Sequence, residues 1–249
     1  MINKELRRKI VEDGYKLKTG HYGSIMSCLD VIKELYDNVL EKDDIFILSK
    51  GHGGPALQAV LNEKGYNPKK TIHLEYEPKE GIMATTGSLG HGLPMAVGRA
   101  FAKKIKGKGR VFVMTGDGEM QEGSNWEALD IAQKLCLDNL ILLIDNNKYQ
   151  AIDSIEKILN QTTEIFFNKL TAFGIRCSFG INGHKKTDLE KLKHLSNFSK
   201  ISENKTPTAI ILDTIKGYGI PFLEKNPTYH VFYMHEYPKI YRETMEHLK

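Results

Sequence analysis

Short apolar runs separated by mixed stretches set the frame of this chain. Val111-Phe112-Val113-Met114 and Leu140-Ile141-Leu142-Leu143-Ile144 are continuously apolar and read as strands buried on both faces. Ile45 to Leu48, Ile175 to Phe179 and Thr208 to Leu212 read as further strands. Between them the apolar spacing turns helical over Pro55 to Lys64, Leu93 to Lys104, Ser124 to Cys136 and Asp188 to Ser196. An amphipathic helix is expected from about Ser24 to Leu40, with Ser24 as its N-cap. Ile2 to Leu17 carries Leu6, Ile10 and Leu17 among lysines and arginines, which predicts a mostly solvated surface helix interrupted near Gly14. Asp153 to Gly174 gives a mixed helical signal, and its phenylalanines at helical spacing read as core. Residues 65 to 81 show no period. Strands alternating with helices predict an α/β fold, a parallel sheet with helices on both faces.

Chemistry concentrates where two of these strands end. Gly116-Asp117-Gly118 follows one apolar run and Asp145-Asn146-Asn147 ends the next, so an acid and an amide emerge together at the carboxyl edge of the sheet. A hard cation such as Mg2+ takes oxygen ligands and shares them readily with phosphates. Asp117 offers a carboxylate, Asn147 an amide oxygen and Tyr149 a backbone carbonyl. Gly116 and Gly118 let amide N–H groups approach phosphate oxygens at the positive end of the following helix. Alone, either turn is simply a strand-to-helix connection; as a spaced pair they predict a metal-diphosphate site.

Composition narrows the classes. At 249 residues, 41% hydrophobic and 27% charged, the chain suits a soluble globular protein with one substantial α/β domain. The net charge of +4 is small and its lysines are scattered, so nucleic acid is not indicated. No run reaches the roughly 18 apolar residues of a membrane span. The three cysteines form no CxxC and the charged N-terminus lacks a signal-peptide core, so a cytoplasmic protein is expected.

At Gly116-Asp117-Gly118 through Asn147 the chain resembles the thiamine diphosphate motif, and Gly116 to Gly123 with Trp126-Glu127-Ala128 is similar to the transketolase version of it. Other segments extend the resemblance over about residues 5 to 232. Thr19-Gly20-His21-Tyr22-Gly23 is similar to the family's Ser-Gly-His-Pro-Gly, with Tyr22 in place of proline. Asp43 to Gly53, ending Leu48-Ser49-Lys50-Gly51-His52-Gly53, resembles its Ile-Leu-Ser-Lys-Gly-His-Gly. Thr85-Thr86-Gly87-Ser88-Leu89-Gly90-His91-Gly92 resembles its second glycine-rich motif, with His91 where many members have glutamine. Thr214-Ile215-Lys216-Gly217-Tyr218-Gly219 and Tyr229-His230 resemble its closing segment, with tyrosine for tryptophan. A further Pro-Gly-His-Pro loop of many members finds no match, His73 in Ile72-His73-Leu74 included.

The resemblance implies one polypeptide of a transketolase-type enzyme that moves a two-carbon ketol unit from a ketose to an aldehyde, using thiamine diphosphate and Mg2+ or Ca2+ in its place. His21, His52, His230 and Glu122 would be its catalytic residues. His52, Gly87, Leu89, His91, Gly116, Gly118, Asn147 and His230 would hold the cofactor, and Asp117, Asn147 and Tyr149 the metal. Residues 1 to 249 would be one diphosphate-binding domain with a short extension after about 232. The family's pyrimidine-binding domain and its catalytic glutamate would then lie on a separate C-terminal subunit, giving a heterotetramer that acts on a sugar or sugar phosphate. Glu122 would sit at the interface. The competing readings are other thiamine enzymes, of the deoxyxylulose phosphate synthase or 2-oxoacid dehydrogenase alpha type, and a non-catalytic regulatory subunit.

Overall fold

The computed structural model describes residues 1–197 and 205–249. Among them, a five-stranded sheet is built from β1 (Ile45–Leu48), β2 (Val111–Gly116), β3 (Leu140–Asn146), β4 (Arg176–Asn182) and β5 (Thr208–Asp213) in the order β1-β2-β3-β5-β4. All four pairings are parallel. The carboxyl ends of β1, β2, β3 and β5 therefore share one edge, and the chemistry-bearing loops leave from it.

The continuous apolar runs are explained by cover on both faces. One face of β2 and β3, with Phe112, Met114, Ile141 and Leu143, packs under α1 (Lys4–Leu17), α2 (Tyr22–Glu34) and α3 (Gly54–Glu63). The alternate positions Val111, Val113, Leu142 and Ile144 pack against α4 (Gly92–Ile105) and α5 (Gly123–Lys134). Two shorter helices follow, α6 (Ile155–Leu159) and α7 (Thr163–Ala172), and Phe166 of α7 is buried in that second layer.

Several boundaries differ from the sequence expectation for identifiable reasons. Helix α1 is not mostly solvated: Leu6, Arg7, Ile10 and Val11 are buried. Nor does Gly14 interrupt it. A Cβ there would lie 2.5 Å from the Tyr22 hydroxyl, so the glycine admits a neighbouring ring. Helix α2 starts at Tyr22 with His21 at its N-cap, and Ser24 is not the cap. The Ser24 carbonyl accepts instead from the Lys50 ammonium and the Ser27 hydroxyl. The helix expected to reach Leu40 changes to a π turn over Leu35–Val39. Strand β4 extends past Phe179 through an irregularity between Ser178 and Ile181, and the helix expected over 188–196 is two short ones, Lys186–Leu189 and Lys191–Asn197.

Candidate active site

At the carboxyl edge of the sheet lies a cavity of about 290 Å³. Its floor is a buried polar layer. Lys50, just past β1, pairs with Asp145 at the end of β3, and both are essentially inaccessible. Asp145 also accepts from the Ser27 hydroxyl at 2.6 Å and from Thr214. Burial disfavours the Asp145 charge, but Lys50 overrides it and holds the carboxyl below its ordinary value. Such a pair contributes little net stability against desolvation; what it fixes is position. Glu119 does the same on the other side, accepting from Ser49, from the Gly90 amide and from the Gly116 amide. One carboxylate thereby ties the ends of β1 and β2 to the 85–92 loop.

On this floor stand four histidines. The His21 ring lies 5.9 Å from His52, 5.8 Å from His73 and 5.1 Å from His230, centroid to centroid, and His52 is 5.9 Å from His230. His73 belongs to the aperiodic 65–81 stretch, where the sequence gives no reason to place it in a site. An isolated antiparallel bridge, Leu74 to Thr86, brings it to the glycine-rich loop. Gly87 at φ +148° leaves room for it, since a Cβ there would sit 3.0 Å from the His73 ring. The alternation of Ile72, His73 and buried Leu74 is the only local trace of that geometry.

Three rings of the cluster are held below the ordinary histidine value. Burial, then His230, His73 and Lys50, bring His21 down to about 4. Burial, then Lys50 and the neighbouring rings, push His52 well below its ordinary value, and burial with Lys216 and Lys50 lowers His230. Neutral rings at pH 7 donate from one nitrogen and accept at the other. The His21 Nδ1 is buried without a partner. Because the folded value of His21 lies below 6.5, the folded state resists a proton that the unfolded chain takes up. Stability from this ring is complete above pH 6.5 and is lost as pH falls towards 4. The His21→Gln chain is expected to lose less stability than the wild type between those limits; parallel urea-midpoint curves would refute it.

At the other end of the cavity, Asp117 is 3% exposed, accepting from the Lys148 amide and from the Gly118 amide. Burial, then the charge of Asp145, raise it to about 7. Asn147 is buried beside it, its Oδ1 accepting from the Tyr149 amide at 3.1 Å. Lys216 enters from the loop after β5, its ammonium donating to the Gln150 carbonyl at 3.1 Å. Burial, aided by Lys50, lowers it to about 8. No group of three or more His, Cys, Asp or Glu side chains suited to a metal exists among the described residues. A cation at Asp117 and Asn147 thus needs further oxygens, and Lys216 with the unpartnered histidine suits an anion. A metal diphosphate answers both demands, so the residues fit such a group.

The cavity lining gathers His21, His52, His230, Glu122, Gly87, Leu89, Gly116, Asp117, Gly118, Asn147 and Tyr149. His91 is not among them; it sits exposed at the N-cap of α4. Glu122 is exposed at the rim, as N-cap of α5. Lys50, His73, Glu119, Gln150 and Lys216 line the cavity as well; Lys50, Glu119 and Lys216 fall within the matched motifs, whereas His73 and Gln150 fall outside them.

The family model for the transketolase thiamine diphosphate binding domain matches residues 2–236. An apulose-4-phosphate transketolase subunit from Actinobacillus succinogenes is 36% identical, over 95% of this chain and 90% of its own length. A 6-deoxy-6-sulfo-D-fructose transketolase subunit of a Clostridium species is 35% identical, over 88% of this chain and 85% of its own. The solved transketolase of Campylobacter jejuni superposes on 98% of this chain with a TM-score of 0.81 at 23% identity, but only 42% of that molecule is covered. For the Leishmania mexicana enzyme the TM-score is 0.75 at 28% identity, and 36% of it is covered. The chain spans less than half of these solved transketolases and nearly all of the two subunits.

Proposed function

Because this chain belongs to the transketolase family, as a thiamine diphosphate-binding subunit, we propose that it is one half of a Mg2+-dependent enzyme passing a two-carbon ketol unit from a ketose to an aldehyde acceptor. The observation that carries this reading is the joining of the buried Asp117–Asn147 pair to four histidines in one cavity. Asp117, Asn147 and the Tyr149 carbonyl hold Mg2+, or Ca2+ in its place, and Lys216 with the Gly118 amide meets the diphosphate. Bound there, thiamine diphosphate supplies the carbon nucleophile and electron sink for breaking the bond beside a ketose carbonyl. Leu89 offers an apolar face to the cofactor. His52 and His230 stand between the diphosphate end and the substrate side.

The lowered histidines divide the labour. A ring held near 4 is a poor base at neutral pH but a dependable donor and acceptor, so His21 orients sugar hydroxyls. His73, exposed at the mouth, joins it there. The relatives named above act on an apulose phosphate and a sulfosugar, and a specialised sugar or sugar phosphate suits this chain too. Its partner is a pyrimidine-binding C-terminal polypeptide, forming with it a heterotetramer whose interface includes Glu122. All three cysteines are free, which suits the reducing cytoplasm.

The test is the reaction class. With the partner subunit, cofactor and Mg2+, a ketose donor should lengthen an aldehyde acceptor by two carbons. Consumption of a 2-oxoacid with no such elongation would overturn the proposal in favour of another thiamine enzyme.

A further inference from the structure

Outside the cavity, behind the loop that carries Lys216, lies a second buried polar cluster that the proposed reaction does not use. His184 follows β4 and is buried, with its Nδ1 2.8 Å from the Asp30 carboxylate of α2. Its Nε2 accepts the Ile215 backbone N–H at 3.0 Å. A backbone N–H can only donate, so Nε2 is bare and the proton resides on Nδ1, facing Asp30. The ring stacks on Tyr218, with centroids 3.8 Å apart. Asp30 is also held by Arg7 and by Asn3, and Arg7 donates to the Tyr218 carbonyl at 3.0 Å. The charged and titratable groups facing His184 are thus Asp30, Arg7 and Tyr218.

We propose that His184 is a positioning residue for the cavity: its bare Nε2 pins the Ile215 amide and so sets where the next residue, Lys216, points. The loop is tied at three points that bracket this lysine. The Thr214 hydroxyl bonds to Asp145, the Ile215 amide to His184, and the Gly217 amide to the Gly23 carbonyl at 2.9 Å. The Ile215 side chain is exposed, so the middle tie acts through the backbone alone. A part-buried amide deprived of its acceptor is unfavourable, and the loop would shift to find another. The inference rests on the reading above only in assigning the diphosphate as the group that Lys216 meets.

Two variants of the full chain separate positioning from packing. His184→Phe keeps a ring against Tyr218 and leaves Asp30 its Arg7 and Asn3 partners, but offers no acceptor; His184→Gln restores an acceptor oxygen. By amide hydrogen exchange, Ile215 should exchange about tenfold faster in the Phe variant and near the wild-type rate in the Gln variant. Calorimetry with thiamine diphosphate and Mg2+ should show about tenfold weaker binding for the Phe variant, recovered by Gln. With Lys216→Met already present, His184→Phe should cost less than about twofold more, since these effects couple. Unchanged exchange at Ile215, or the same loss of affinity with and without Lys216, would overturn the proposal. Absence of any cofactor binding by the wild type would instead sink the functional reading, and the exchange rates would still decide the role of His184.

Discussion

Replacing Asp117 with alanine is expected to remove Mg2+-dependent binding of thiamine diphosphate, weakening it by at least about 100-fold, as loss of a group at a metal centre does. The reason lies in what surrounds the carboxylate. Asp117 is buried at the end of β2, and one of its oxygens already takes the Lys148 amide while the other takes Gly118. Each carboxylate oxygen keeps a second lone pair for a cation. Asn147 contributes a neutral oxygen, so Asp117 is the charged oxygen ligand of the proposed set. Without it, the diphosphate keeps only lysine and amide donors, and its bound cation loses the anchor that fixes orientation.

Asp117→Asn separates this role from a structural one. The amide oxygen can still accept the Lys148 N–H, while the Gly118 N–H loses its acceptor to the new NH2. Burial and the neighbouring Asp145 disfavour the wild-type charge. The asparagine variant should therefore unfold at a urea concentration close to that of the wild type, the relieved buried charge offsetting the lost Gly118 bond, while binding the cofactor no better in Mg2+ than in chelator. Retention of wild-type Mg2+ dependence in calorimetry would remove Asp117 from the metal site.

The outer frame was legible because its signals are local. Continuous apolar runs at 111–114 and 140–144 can be buried only by cover on both faces, and clusters of apolar residues do flank them. Gly116 to Gly118 and Asn147 were legible as a pair because each terminates such a run. What escaped depends on contacts between distant segments. His73 has no periodic neighbours and reaches the cavity only through the Leu74–Thr86 bridge. Lys50 falls within the motif that ends at Gly53, but its pairing with Asp145, far along the chain, cannot be read from that motif. Glu119 lies within the Gly116 to Gly123 motif, yet its partners are three separate strand or loop ends that the motif does not reveal. His91 has a glycine-flanked context that matches a motif, and it stands exposed at the N-cap of α4, outside the cavity lining. Gly14 reads as an interruption because the Tyr22 hydroxyl that needs its missing Cβ comes from the next helix.

Isolated, this chain is expected to be nearly inactive in ketol transfer, slower by about 10²–10⁴-fold than the assembled enzyme, the usual range for a missing acid–base group. The carboxylates of the cavity show why. They are Asp117, Glu119 and Glu122. Asp117 is assigned to the cation. Glu119 already accepts from Ser49, Gly90 and Gly116, which fixes it as the tie between strand and loop ends. Glu122 stands exposed on the rim, too solvated to act as an acid in a dry site. Leu89 and Ala151 are the aliphatic residues of the lining, so the cavity offers an aromatic ring little aliphatic cover of its own. A pyrimidine ring and the carboxylate that activates it therefore need a second surface, closing over Glu122. At fixed cofactor and Mg2+, adding the pyrimidine-binding partner should raise the transfer rate to a plateau at one partner per chain. Full activity without the partner, or a rate indifferent to it, would show that this cavity is complete by itself and would overturn the two-subunit reading.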